Sequence, residues 1–199
     1  SHTLVHHTYD LYARKTSTED INAGTIIYDT DPLGQLVSET NPLGHTTTME
    51  YDKLGRITTR VGPEGSTTHE YLLTGTGASV NQLKKITSFG GDTEDFTYDG
   101  YGRQSTHTHT IDGTAHTTTY GYNLYSQLTS VSHPGGFDLT YGRSARGHLQ
   151  SITHQGNAIY TANTANAYLQ STNHSLGSGS QINKGYHHSI PTSYVAGNN

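Results

Sequence analysis

A short motif of tyrosine, aspartate, glycine and arginine recurs along the chain. Its clearest copies are Tyr51-Asp52-Lys53-Leu54-Gly55-Arg56 and Tyr98-Asp99-Gly100-Tyr101-Gly102-Arg103. The residues that hold the motif are Tyr9, Asp10, Tyr28, Asp29, Tyr51, Asp52, Gly55, Arg56, Tyr98, Asp99, Gly102, Arg103, Tyr122 and Tyr141, with Tyr71 and Tyr168 as eroded copies. After Tyr28 and Tyr141 the glycine comes two residues late. Repeats of about 20 to 30 residues predict one supersecondary unit each.

Turn signals lie between the copies of the motif. They are Asn41-Pro42-Leu43-Gly44, Gly62-Pro63-Glu64-Gly65 and His133-Pro134-Gly135-Gly136. Each repeat is therefore predicted to hold two strands and two turns, a hairpin-like unit. The 33 Thr, 23 Gly and 15 Tyr of the sequence suit strands and turns. The predicted fold class is all-β, a repeat array of β-hairpins that forms a curved or spiralling sheet strip.

Each residue of the motif has a predicted structural role. Tyrosine packs its ring on the neighbouring repeat and keeps its hydroxyl wet or hydrogen-bonded. Aspartate accepts backbone N–H bonds from the turn, and glycine takes a positive φ. Arginine lies over a neighbouring ring or pairs with an aspartate. None of these roles is catalytic.

The motif with its intervening Pro-x-Gly turns resembles the YD/RHS repeats of bacterial polymorphic toxins, insecticidal toxin complexes and animal teneurins. The resemblance runs from Tyr9 to about Tyr168. It implies a β-sheet strip that spirals into a hollow shell around a toxin polypeptide. It also places the repeat array in residues 1–170 and a degenerate C-terminal repeat or linker in 171–199, where the family's Asp-Pro-x-Gly core signature is not seen. No catalytic residue or cofactor is carried over from the family.

A histidine-rich hairpin is the one candidate metal site. Asp112-Gly113 indicates a two-residue turn, which places His109 opposite His116 with His107 on the same face. Three imidazoles so placed can hold Zn²⁺ or Cu²⁺. The alternative, which the sequence favours, is that these are solvent-facing strand positions without a metal. The adjacent pairs His6-His7 and His187-His188 face opposite sides of a strand and make poor ligand sets.

Charge and composition argue against several other functions. The net charge is -5 and the longest basic run is Lys84-Lys85, which gives no surface for nucleic acid. No apolar stretch approaches the length of a membrane span. The chain has no cysteine, so thiol catalysis and disulfides are excluded.

About eight repeats would supply roughly sixteen strands at ~4.8 Å spacing, a strip of about 75 Å. A strip of that length does not enclose a toxin by itself. We expect partners that are either the rest of a longer repeat shell or further copies of the chain, with an encapsulated toxin polypeptide inside. The predicted function is a non-catalytic shell segment of a secreted or cell-surface protein. The alternative is an extracellular adhesion or filament-forming module that assembles by pairing of sheet edges.

Overall fold

The computed structural model of the chain describes residues 5–74, 79–168, 170–177, 179–187 and 190–197, and all regular structure within them is β-strand. The described residues hold no helix that is long and apolar enough to cross a membrane. The contacts divide the chain into two units. Unit 1 consists of residues 1–96 and 109–115, and unit 2 of residues 97–108 and 116–199.

Unit 1 is an antiparallel series in which each strand pairs with the next along the chain. Its strands are β1 Val5–Tyr9, β2 Lys15–Asp20, β3 Gly24–Thr30, β4 Leu36–Thr40, β5 Thr46–Tyr51, β6 Ile57–Gly62, β7 Gly65–Tyr71, β8 Leu83–Thr87 and the larger part of β9 Thr93–Tyr98.

Unit 2 repeats the same arrangement, with consecutive pairing from β11 to β18. Its strands are most of β10 Gln104–Ile111 and β11 Thr114–Tyr122, then β12 Leu128–His133, β13 Phe137–Arg143, β14 Leu149–His154, β15 Asn157–Ala165, β16 Ser171–Leu176, β17 Ser180–His187 and β18 Ile190–Gly197.

Very few side chains are buried. Among the described residues only Val131 and His174 fall to 5% exposure, and none is completely enclosed. In β5 the exposed Thr46, Thr48 and Glu50 alternate with half-buried residues of the other face. Alternation of this kind follows from the two-residue period of a strand. Long side chains of neighbouring strands therefore cover one another in part, and the described residues form no conventional buried core.

A β-bulge precedes many of the loops at one edge of each unit. The register shifts at Thr8/Tyr9, Asp29/Thr30 and Glu50/Tyr51 in unit 1, and at Gly121/Tyr122 and Gly142/Arg143 in unit 2. A bulge bends the strand and re-aims the residue that follows it. The last residue of each of these strands is thereby placed beside the loop.

The predicted all-β array of antiparallel hairpins is confirmed. The described residues form eighteen strands, more than the sixteen expected, because several turns use only two to five residues and strands continue to Gly197. Asp112 and Gly113 have φ angles of 48° and 76°, as the predicted two-residue turn requires. The division of the chain at residue 170 stays a prediction.

Candidate functional site

Five-residue loops recur at one edge of the sheet in each unit, and we call them the edge loops. They comprise residues 10–14, 31–35 and 52–56 in unit 1, and residues 99–103, 123–127, 144–148 and 166–170 in unit 2. In each of them the first N–H donates to the fifth carbonyl, at 2.8–3.0 Å. The chain therefore makes the same closing backbone bond in each of these seven loops.

The first residue of an edge loop caps the loop with its side chain. Asp52 Oδ1 accepts the N–H of Leu54 at 2.8 Å and that of Arg56 at 3.0 Å. The same two bonds are made by Asp10, Asp31, Asp99, Asn123 and Asn166. Ser144 makes only the bond to the fifth N–H, that of His148. These are Asx-turn bonds, which satisfy backbone donors that would otherwise lack partners.

The fourth loop position has a left-handed backbone. Gly34, Gly55 and Gly102 have φ angles of 85°, 78° and 77°, whereas Ala13 and Ser126 hold 61° and 60° in the equivalent places. A side chain resists this region, so glycine is the favoured residue there.

Arginine at the fifth position forms an ion pair within the loop. Arg14, Arg56 and Arg103 donate Nε to the second carboxylate oxygen of Asp10, Asp52 and Asp99, at 2.6–2.7 Å. Hydrogen bonds from the side chain of Arg56 and from its backbone N–H hold the pKa of Asp52 below its usual value, against the opposing effect of burial. The pKa values of Asp10 and Asp99 are lowered by the equivalent bonds. These carboxylates stay ionised and fully engaged at neutral pH.

The same arginines reach the next loop along the edge. Arg14 Nη1 donates to the carbonyl of Asp31 at 2.7 Å, and Arg103 Nη1 to that of Asn123 at 2.9 Å. Arg56 makes the corresponding bond to Asn81 at 2.8 Å and lies 4.1 Å above the ring of Tyr71. Each guanidinium therefore connects turns about 20 residues apart by charge-assisted and cation–π contacts.

The strand-end tyrosines bond back to the preceding hairpin. Tyr51 donates its hydroxyl to the carbonyl of Leu36 at 2.7 Å, and Tyr71 to that of Ile57 at 2.9 Å. The accepting residue is in both cases the one that follows the preceding edge loop. Arginine and tyrosine thus tie successive loops together in opposite directions, and we call this set of contacts the loop ladder.

The structure corrects part of the predicted motif. Tyr28 and Asp29 lie inside β3, paired with Glu39 and Ser38. The cap of that loop is Asp31, and Thr30 takes the strand-end place, after the same bulge, that Tyr51 takes before Asp52. Asp29 therefore does not have the predicted turn role.

Two further tyrosines lie elsewhere than the motif predicts. Tyr141 lies inside β13 opposite Ile152, and Arg143 takes the strand-end place before the cap Ser144. Tyr168, interpreted as an eroded strand-end copy, is 75% exposed at the third position of the loop capped by Asn166. The remaining predicted motif residues lie at strand ends or in edge loops.

The candidate metal ligands do not form a site. No cluster of three or more His, Asp or Glu side chains suited to a metal occurs in the described part of the chain, so His107, His109 and His116 are not brought together as a ligand set. His7, of the adjacent pair His6-His7, bonds the hydroxyl of Thr18 through Nδ1 at 3.1 Å. His188, of the predicted pair His187-His188, lies outside the described residues.

Sequence reasoning missed two caps of the edge loops, Asp31 and Ser144. Asn41, in a predicted turn, caps a similar turn at the opposite edge. A pattern of Asp, Asn or Ser followed by Gly three residues later, and by Arg, Gln or His at the fourth, would have found all three. The tyrosine that precedes the cap in the predicted motif is not required, because Thr30 and Arg143 take its place before Asp31 and Ser144.

Comparison with known proteins identifies this pattern. The RHS Repeat family model matches residues 31–67, which include two edge loops. Residues 31–67 are thus similar to an RHS repeat. The predicted resemblance to the YD/RHS-repeat family is confirmed by this match. None of the curated proteins compared with the chain matches it.

Solved structures share the fold over almost the whole chain. The crystal structure of TcdB2-TccC3-TEV matches with a TM-score of 0.77 and 16% identity, over 98% of this chain and 11% of that one. A Tc holotoxin pore from Photorhabdus luminescens matches with a TM-score of 0.60 and 13% identity, over 98% and 12%. The TcdB2-TccC3-Cdc42 structure gives 0.59 and 13%, over 98% and 13%. The chain thus spans 11–13% of the length of these proteins and shares its fold with a part of each.

Proposed function

We propose that this segment is part of the β-sheet wall of a secreted bacterial RHS-repeat protein, and that the wall encloses a toxin polypeptide. The observation that carries the proposal is the near absence of buried side chains, which are limited to Val131 and His174 among the described residues. A globular domain of this length normally buries a large share of its apolar side chains. A sheet whose faces remain this exposed is suited to form a wall that further polypeptide completes.

The chemistry of the loop ladder supports a structural role for the segment itself. Asp52 accepts three hydrogen bonds, and Arg56 is shared between that carboxylate, the Asn81 carbonyl and the Tyr71 ring. A carboxylate whose pKa is lowered in this way is a poor general acid or base at neutral pH. The repeat side chains are therefore occupied in holding hairpins together.

The composition of the strands suits contact with an unfolded polypeptide. Hydroxyl side chains bond one another across strands, for example Thr8 with Thr16 and Thr97 with Ser105. Hydroxyl pairs of this kind make the sheet surface around them polar, which disfavours collapse of an enclosed chain at those places. Secretion and the identity of the enclosed polypeptide belong to the proposal.

Limited proteolysis of the full-length polypeptide that contains this segment tests the proposal. Trypsin applied to the native particle should leave one part of the chain undigested, and brief acid or detergent treatment that opens the particle should make that part digestible. Uniform digestion of the native protein would contradict enclosure. Sedimentation as a fibre would instead support the filament-forming alternative.

A further inference from the structure

Grooves separate consecutive edge loops. One lies between the loops 10–14 and 31–35, and another lies between the loop 52–56 and the start of the β7–β8 connection. A third, of about 340 Å³, lies between the loops 123–127 and 144–148. Its polar and aromatic lining is Asn123, Tyr125, Gln127, Arg143, Ser144 and Arg146, and we call it the Arg143 groove.

The charge of the Arg143 groove differs from that of the other two. In those, Arg14 and Arg56 are neutralised by Asp10 and Asp52 within the same loop. Here the two caps are Asn123 and Ser144, so neither loop supplies a carboxylate. Arginine has also replaced the strand-end tyrosine. Arg143 and Arg146 consequently line a groove whose lining contains no acidic residue.

Arg143 is held in place by the scaffold. Its Nε donates to the carbonyl of Leu128 at 3.4 Å, which is the bond that Tyr51 and Tyr71 make from their hydroxyls. Its Nη1 donates to the carbonyl of Gly147 at 3.1 Å. A guanidinium has five N–H donors, so donors remain after these two bonds. Among the described residues neither Arg143 nor Arg146 forms an ion pair.

The wider surroundings do not compensate this charge. Unit 2 contains four Lys and Arg residues against two acidic residues, whereas unit 1 contains seven against fourteen. The acidic residues of unit 2 are Asp99, which pairs with Arg103, and Asp138, which lies at the start of β13 and not at the loop edge. Within unit 2, neither acidic side chain therefore offsets Arg143 and Arg146, and this local excess of positive charge favours an anion.

We propose that the Arg143 groove binds a small oxyanion, a phosphate or carboxylate group, through the guanidinium groups of Arg143 and Arg146. Guanidinium forks match the geometry of both groups and bond them in pairs. The Ser144 hydroxyl lines the same groove and accepts the N–H of His148, so its own proton is available to the anion. The Gln127 amide bonds Asn123 and Gly147 and keeps its place in the wall of the groove. This site is independent of the proposed enclosing function, because it rests on one pair of loops.

The test is titration of the full chain with inorganic phosphate, and separately with succinate, at constant ionic strength set by NaCl. The readout is the Nε–H NMR signals of Arg143 and Arg146. Saturable shifts of both signals are expected, and the tighter anion of the two identifies the preferred source. Arg146→Gln, at an exposed position, should weaken binding about tenfold or more, since it removes charge-assisted hydrogen bonds. Arg143→Gln should do the same.

Two further variants make the outcome decisive. Asn123→Asp installs the carboxylate that caps the other loops, so it should compete internally and abolish the shifts while the fold is retained. Lys53→Gln removes an exposed positive charge outside the groove and should leave the affinity unchanged. Shifts that do not saturate would overturn the proposal. So would an equal loss of affinity in Lys53→Gln and Arg146→Gln, because the anion would then respond only to the net charge of the chain.

Discussion

Arg56 donates a hydrogen bond of 2.8 Å from Nη1 to the main-chain oxygen of Asn81, in the connection that follows the next hairpin. The same guanidinium holds Asp52 in its own loop. One side chain therefore joins two turns that are 25 residues apart in sequence. The fold depends on such side-chain bonds between distant turns because few of its described side chains are buried.

Arg56→Lys is expected to destabilise the chain by about 1–3 kcal/mol, because an ammonium group cannot serve the Asp52 carboxylate, the Asn81 carbonyl and the Tyr71 ring from one position. Urea unfolding followed by circular dichroism measures the change in the free energy of unfolding. Arg60→Lys is the control, since Arg60 is exposed, and it should change stability by less than about 0.5 kcal/mol. Equal effects of the two substitutions would show that the loop ladder is dispensable.

Asp52→Ala and Asp52→Asn separate the cap from the ion pair. Alanine removes both backbone bonds and the partner of Arg56, and should clearly lower the midpoint of thermal unfolding. Asparagine keeps the cap, as Asn123 does in its loop, and should cost clearly less. Thermal unfolding of both variants provides the comparison. An asparagine variant as unstable as the alanine variant would mean that capping contributes little.

Ala13→Gly is expected to stabilise the chain, by up to about 1 kcal/mol, because Ala13 holds a φ of 61° that glycine adopts without strain. Gly55→Ala should do the reverse, since its φ is 78° and an added Cβ would meet Gln35 Nε2 at 2.9 Å. Gly100→Ala, where a Cβ meets nothing within 4 Å, is the matched control. Midpoints of urea unfolding decide the signs, and a stabilising Gly55→Ala would refute this account of the loop.

Acid should weaken the fold through the three ion-paired aspartates. Their folded pKa values lie below the usual 3.8, so their contribution is fully present above that pH. It is lost as the pH falls from about 3.8 through the folded pKa values, because the unfolded chain takes up protons first. The free energy of unfolding measured from pH 5 to pH 2 should show this decline, and Asp52→Asn should make it shallower. An unchanged slope in that variant would contradict the assignment.

A second pH dependence is expected from His174. Burial, and then the charge of Lys184, lower its pKa from the usual 6.5, and its ring lies 5.3 Å from that of Tyr160. The unfolded chain therefore binds more protons between the two pKa values, and stability should fall as the pH drops below about 6.5. His174→Phe removes the titrating group at a buried place and should flatten the profile between pH 7 and pH 5. A profile that keeps its slope would assign the effect to other histidines.

Much of the fold was predictable because local chemistry is repeated. Asp52, Gly55 and Arg56 each have a role that a single loop can satisfy, so their spacing alone predicts the turn. The hairpin at Asp112-Gly113 follows in the same way from two left-handed residues. Repetition then extends these local inferences to the whole array.

The remaining features depend on register and on distant partners. The cap after β3 is Asp31 and not Asp29, because Thr30 takes the strand-end place that the motif assigns to tyrosine. The bond of Arg56 to Asn81 joins residues whose separation varies from repeat to repeat. The burial of His174 arises from its neighbours Tyr160 and Ile182 on adjacent strands. Such relationships become visible only when the strands are laid side by side.

A cryo-electron microscopy structure of the full-length polypeptide that contains this segment is the decisive measurement for the proposed wall. We predict a hollow particle in which residues 5–197 belong to the wall, with Arg14, Arg56 and Arg103 each bonded to the following loop. A segment folded over a conventional buried core, or a particle without a lumen, would contradict it.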